Sequence, residues 1–129
     1  MASQLAGLPI TILGGDAREK TLMRKLVVQG AMVRAVGFNE VTPGVVLMDD
    51  GIAAVQDAVA VIVPLTGTDA NGKIRTVENG QTILLDEKLI SCLKPKTLLL
   101  IGSAKPYLRQ LADRYDIRVI ETAELDEIA

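Results

Sequence analysis

Apolar positions fall into short runs separated by stretches where they recur every three or four residues, the pattern of strands alternating with helices. Leu8 to Leu13 is a predicted strand that ends at Gly14-Gly15. Asp16 follows as an N-cap with Glu19 at the N3 position, a capping box in which each side chain satisfies a backbone amide of the helix start. Ala17, Leu22, Met23 and Leu26 make the inward face of the helix, and Gly30 stops it. Ala31 to Val36 is the second strand, while Val45 to Met48 is a candidate short strand weakened by Pro43 and Gly44. Gly51 to Ala58 reads as a poor helix and Ala58 to Val63 as a buried central strand broken by Pro64.

Residues 64–82 carry Gly67, Gly72 and Gly80 with no long apolar period. Asn79-Gly80 between Lys73–Val77 and Thr82–Leu85 predicts a hairpin turn. Asp86 caps a short helix with Leu89, Ile90 and Leu93 on one face, ended by Pro95. Thr97 to Ile101 is a strand, and Ser103 is the expected cap of a helix over Ala104–Arg114, with Pro106 tolerated in its first turn. Ile117 to Ile120 is the last main strand, and Thr122 starts a short C-terminal helix. The alternation predicts a single α/β domain over residues 1–129: a flavodoxin-like three-layer sandwich with a five-stranded, mostly parallel sheet in the order 2-1-3-4-5, plus a small hairpin.

In such a sheet, ligands sit outside the carboxyl ends of the strands, near the reversal of strand order. The segments that converge there are Gly14–Arg18, Gly37–Phe38, Pro64–Thr68 and Gly102–Tyr107. Gly14 and Gly15 let a ligand approach the backbone, and the helix start behind them favours an anion. Arg18 is suited to bidentate pairing with a carboxylate. Thr66, Gly67 and Thr68 offer hydroxyl and amide donors, and Gly102, Ser103 and Tyr107 complete the candidate substrate-binding set. Each residue also has a plainer reading: a tight turn for the glycines, a cap for Asp16 and Ser103, a polar loop for the threonines. Asp49-Asp50 reads as a solvated turn, Tyr115 as core, and Cys92 as a small packing residue.

Composition narrows the chemistry. The chain of 129 residues has 14 basic and 16 acidic side chains, one cysteine and no histidine. Without histidine, neither Ser-His-Asp nor Cys-His nucleophile systems nor a His-containing zinc site can be built, and no metal is expected. Aromatics make up 2% of the residues, too few for base-stacking platforms, and a net charge of −2 gives no pull toward nucleic acid or anionic membrane. No apolar run approaches the roughly 20 residues of a membrane span. The lone Cys92 fits a reducing, cytoplasmic compartment. A G-x-G-x-x-G fingerprint is absent after the first strand, a receiver-type phosphoacceptor is excluded by Pro64 ending the third, and Phe38 alone is thin support for a flavin.

Residues 12–18 (ILGGDAR), 24–26 (RKL), 36–38 (VGF), 63–65 (VPL) and 101–108 (IGSAKPYL) resemble the N-terminal domain of the dipicolinate synthase A-subunit, related to the catalytic domain of 2-hydroxyacid dehydrogenases. The resemblance implies an N-terminal, substrate-side piece of a two-domain NAD(P)-dependent oxidoreductase. A C-terminal Rossmann domain holding NADP would lie beyond residue 129, leaving this fragment alone inactive. It implies formation of dipicolinate from a hydroxy-tetrahydrodipicolinate-type intermediate of the lysine pathway during sporulation, in the mother-cell cytoplasm. A dicarboxylate substrate, the dipicolinate synthase B-subunit and a homo-oligomer are the implied partners. It assigns no catalytic residue. Two alternatives stay open: a free-standing flavodoxin-like module binding a small anion or a protein partner without catalysis, and an oligomerisation domain.

Overall fold

A computed structural model describes residues 5–121. Six parallel strands form one sheet: β1 (Pro9–Leu13), β2 (Met32–Val36), β3 (Val45–Met48), β4 (Ala60–Ile62), β5 (Leu98–Ile101) and β6 (Arg118–Glu121), in the order β3-β2-β1-β4-β5-β6. The five expected strands keep their expected order. The difference is Val45–Met48, which joins as an additional edge strand in register with Val33–Val36 despite Pro43 and Gly44. The Thr122 helix start lies outside the described residues.

Alternation along the strands divides the core. Ile10, Ile12, Val33 and Ala35 point to the face covered by α1 (Ala17–Val28), where Met23, Leu26 and Phe38 pack. Leu13, Val61, Val63, Leu99 and Ile101 point to the opposite face, under α2 (Gly51–Val55), α3 (Glu87–Ile90) and α4 (Pro106–Arg114). Two buried threonines settle their hydroxyls locally: Thr11 donates to the carbonyl of Ala54, and Thr97 to that of Ala58 at 3.3 Å.

Most helix starts follow the local chemistry. The Asp16–Glu19 capping box is present, and Asp86 caps α3 through Leu89 N–H at 3.0 Å. Ala17, expected inward, is exposed, and the apolar stripe of α1 runs through Met23 and Leu26. Asp50 belongs to no simple solvated turn: its Oδ1 accepts from Ile52 N–H at 3.0 Å and caps α2. Ser103 does not cap α4. Lys105 stands at the cap position with no side-chain bond, and Pro106 opens the helix. The cause is Pro106 itself, which drives the preceding residue into extended backbone (Lys105 ψ 156°) and starts the helix after it.

The expected hairpin forms at its base, where Ile74 N–H donates to Ile83 C=O at 2.9 Å and Leu85 N–H to Gly72 C=O at 2.7 Å, and opens beyond it into a strap. Isolated bridges join Lys73 to Leu84 and Thr68 to Ile74, but no regular ladder forms. The Asn79-Gly80 turn exists, closed by Gly80 N–H to Val77 C=O at 3.1 Å. Beyond Ile74 the first arm pairs with loops of the sheet in place of the second arm. Gly15 N–H donates to Thr76 C=O at 2.7 Å, and Asn79 N–H to Gly37 C=O at 3.0 Å. Ile74, Ile83 and Leu85 bury themselves in the core beneath, at 1%, 3% and 0% exposure, so burial anchors the strap across the carboxyl ends of β1 and β2.

Candidate functional site

The strand order reverses between β1 and β4, so the loops after β1, β4 and β5 frame the crevice. Their closeness is fixed by glycine. A Cβ on Gly102 would collide with Leu65 C=O, and one on Gly14 would lie 2.9 Å from Thr76 C=O. Gly67 sits beside Ser103, whose carbonyl would be 3.9 Å from a Cβ there. Gly14 therefore admits the chain's own strap, whereas a Cβ on Gly15 would collide with the Glu19 side chain.

Most amides at this turn are already engaged. Gly14 N–H donates to Val36 C=O at 2.8 Å, Gly15 to Thr76 C=O, Asp16 to Glu19 Oε1 at 2.9 Å and Arg18 to Asp16 Oδ1 at 3.1 Å. Gly67 N–H is likewise bonded, to Pro64 C=O at 2.8 Å. An anion at the crevice meets side chains, with few backbone donors to spare. A dinucleotide pyrophosphate finds a poor cradle here: four amides of the turn are spent and Asp16 sets a carboxylate beside them.

Of the nine expected residues, Arg18, Thr66 and Ser103 present exposed side chains. Arg18 Nε is 3.8 Å from Asp16 Oδ1, a loose surface pair. Thr66 Oγ1 is 2.7 Å from Thr76 Oγ1. Gly67 and Thr68 are buried, the latter at 4% exposure. Tyr107, half-buried, donates its hydroxyl to Leu85 C=O at 3.2 Å and so braces the strap. Phe38, the one aromatic considered for a flavin, is buried at 2% exposure and packs under α1.

Two residues at the crevice escape sequence reasoning: Arg75 and Thr76. Arg75 donates its backbone N–H to Gly67 C=O at 3.0 Å and its Nε to Thr68 C=O at 3.1 Å, tying the strap to the loop after β4. The signal available in the sequence is a polar Arg-Thr pair within the glycine-rich excursion, but its placement depends on contacts with residues far away in the chain.

Electrostatics follow from these contacts. Burial holds the Glu19 carboxyl above its ordinary range, opposed by the Asp16 N–H and reinforced by the Asp16 charge. Glu78, on the strap, is held below the carboxylate range by its hydrogen bond from Lys20, an ion pair of 2.7 Å. Asp69 is lowered by the backbone N–H groups of Lys73 and Asn71. A separate groove of about 380 Å³ opens on the far side of the strap, lined by Asp49, Asp50, Ile52, Gln81, Asp86 and Lys88 among others. Three carboxylates against one ammonium make it a poor host for an anion. Among the described residues, no group of three or more His, Cys, Asp or Glu side chains is placed to hold a metal ion, and no helix is long and apolar enough to cross a membrane.

The family model of the N-terminal domain of the dipicolinate synthase A-subunit matches residues 9–123. The chain belongs to this family. The dipicolinate synthase A-subunit of Bacillus subtilis (strain 168) is 27% identical over 128 residues, covering 97% of this chain and 43% of the relative. A crystal structure of the dipicolinate synthase A-subunit from Bacillus halodurans superposes with a TM-score of 0.87 at 28% identity, over 96% of this chain and 43% of that one. The chain thus spans less than half the length of these dipicolinate synthase relatives. The fold alone extends further: Rhodotorula graminis D-mandelate dehydrogenase matches with a TM-score of 0.65 at 14% identity, over 88% of this chain and 33% of that one.

Proposed function

We propose that this chain is the N-terminal, substrate-side domain of a dipicolinate synthase A-subunit. The observation that carries the reading is the family match over residues 9–123, which takes in the loops after β1, β4 and β5 that frame the crevice. The reaction joins loss of the hydroxyl as water to a two-electron oxidation, with hydride passing to NAD(P)+ and a proton released, and yields dipicolinate from a hydroxy-tetrahydrodipicolinate-type intermediate of the lysine pathway. The nicotinamide nucleotide, NADP, belongs to a separate Rossmann domain; the β1–α1 turn of this chain, with four of its amides spent, offers it a poor cradle.

The role of these residues is binding and orientation. Arg18 supplies a guanidinium for a carboxylate, Thr66 and Ser103 supply hydroxyl donors, and the rigid glycine contacts of Gly14, Gly15, Gly67 and Gly102 hold the loops in place. Thr68 and Tyr107 support the strap from below. Closure against the nucleotide-bearing domain would exclude water, and the half-site alone is expected to be inactive as a dehydrogenase. Sporulation, the mother-cell cytoplasm, the dipicolinate synthase B-subunit as partner and a homo-oligomeric state complete the proposal.

Arg18→Ala in the full-length reading frame tests it, with NAD(P)-dependent dipicolinate formation as the assay. The KM for the hydroxy dicarboxylate should rise about tenfold or more while the KM for the nucleotide stays unchanged. An unchanged kcat/KM removes Arg18 from the site.

A further inference from the structure

We propose that Thr76 is a ligand-binding residue of this crevice, acting with Thr66 as a paired-hydroxyl hook for a carboxylate. The inference rests on the reading of the crevice as the substrate side and deepens it by naming a residue on the strap. Thr66 Oγ1 and Thr76 Oγ1 lie 2.7 Å apart at the surface. Two hydroxyls bonded to each other consume one of their two protons, which leaves the second O–H to donate outward. The bond between them polarises that donor and makes it stronger than a lone threonine.

The pair is held at the reversal of strand order by bonds that do not involve the hydroxyls. Thr76 C=O accepts from Gly15 N–H at 2.7 Å, and Arg75 N–H donates to Gly67 C=O at 3.0 Å. The donor is therefore fixed before any ligand arrives, which lowers the entropy cost of recognition. Arg75, adjacent to Thr76 and exposed, spends its Nε on Thr68 C=O at 3.1 Å. Arg18 lies in the first turn of the helix that starts after Gly15.

The donor set selects the ligand class. A phosphate dianion is best held by a nest of several backbone N–H groups. Here the amides of Gly14, Gly15, Asp16, Arg18 and Gly67 are all bonded within the chain. One outward hydroxyl, with exposed Arg75 next to Thr76 in the chain and exposed Arg18 in the first turn of α1, matches a planar carboxylate instead.

Calorimetric titration of the 129-residue chain with pyridine-2,6-dicarboxylate, and separately with inorganic phosphate, tests the assignment. Thr76→Val should weaken dicarboxylate binding about tenfold or more, the loss expected for a hydrogen bond to a charged group. Thr76→Ser should restore it to within about threefold of the parent chain, and Thr66→Val/Thr76→Val should bind no more weakly than Thr66→Val alone. Slow exchange of the Gly15 amide in Thr76→Val would show that the strap stays docked. Were it to undock, the Thr66→Val and Thr76→Ser pair would carry the test. Parent-like binding by Thr76→Val, or phosphate binding as tightly as the dicarboxylate, overturns the inference and leaves the site reading intact. A parent chain that binds no dicarboxylate overturns both.

Discussion

Gly14→Ala measures how far the strap depends on backbone approach. Gly14 has φ +77°, and an added Cβ would sit 2.9 Å from Thr76 C=O and 3.0 Å from Ile74 Cγ2. Alanine in this left-handed region costs roughly 1–2 kcal/mol, and the forced displacement of a packed neighbour roughly another 1–3 kcal/mol. Gly80 provides the control: its φ is +78°, yet nothing lies within 4 Å of its Cβ position. Gly80→Ala should therefore carry the conformational cost alone. Urea unfolding should show Gly14→Ala to be less stable than Gly80→Ala by about 1–3 kcal/mol. Amide exchange should localise the effect, with the Gly15 N–H losing protection in Gly14→Ala as its bond to Thr76 loosens. Equal stability losses for the two variants, with Gly15 protection unchanged, would refute the reasoning that Gly14 exists to admit the strap.

Glu19→Gln probes the buried carboxyl. A folded pKa raised above 4.5 means that stability present at acid pH is lost as pH climbs through the raised value, and glutamine removes that loss. The difference in urea midpoint between Glu19→Gln and the parent should grow in favour of the variant as pH rises from about 4 to 7; a flat difference contradicts the burial argument. Glu78 acts in the opposite sense, contributing stability that disappears as pH falls through its lowered value, so Glu78→Gln should cost most near neutrality. Phe38→Ala should lose about 3–5 kcal/mol as a cavity under α1, and a loss below about 1 kcal/mol in thermal or urea unfolding would contradict its burial there. Tyr107→Phe should cost about 0.5–1.5 kcal/mol through the lost bond to Leu85, with the substrate KM of the full-length enzyme unchanged; a raised KM would make Tyr107 a ligand contact.

Local chemistry makes much of the fold legible. The Asp16–Glu19 capping box, the Asp86 cap and the alternating strands each rest on residues a few positions apart, where spacing determines geometry. Ser103 misleads because two local rules compete, and the constraint imposed by Pro106 prevails over the capping preference of serine. The hairpin pattern is legible at its base, where Ile74, Ile83 and Leu85 turn inward and Ile74 bonds to Ile83, but beyond Ile74 the first arm takes Gly15 and Gly37 as partners. The same long-range contacts hide Arg75 and Thr76. They also turn Gly14 and Gly15 from open amide donors into the seat of the strap. Residues 66 and 103 are readable as candidates because strand ends at an order reversal attract ligands in this fold class, irrespective of detail.

Assignment of the substrate side to this domain is tested most directly by an amide NMR titration of the chain with pyridine-2,6-dicarboxylate, with NADP titrated separately. Saturable shifts from the dicarboxylate are expected, confined to residues 14–18, 66–68, 75–76 and 102–103, with no saturable shifts from NADP. Saturable shifts at the β1–α1 turn with NADP, and none with the dicarboxylate, would contradict the assignment.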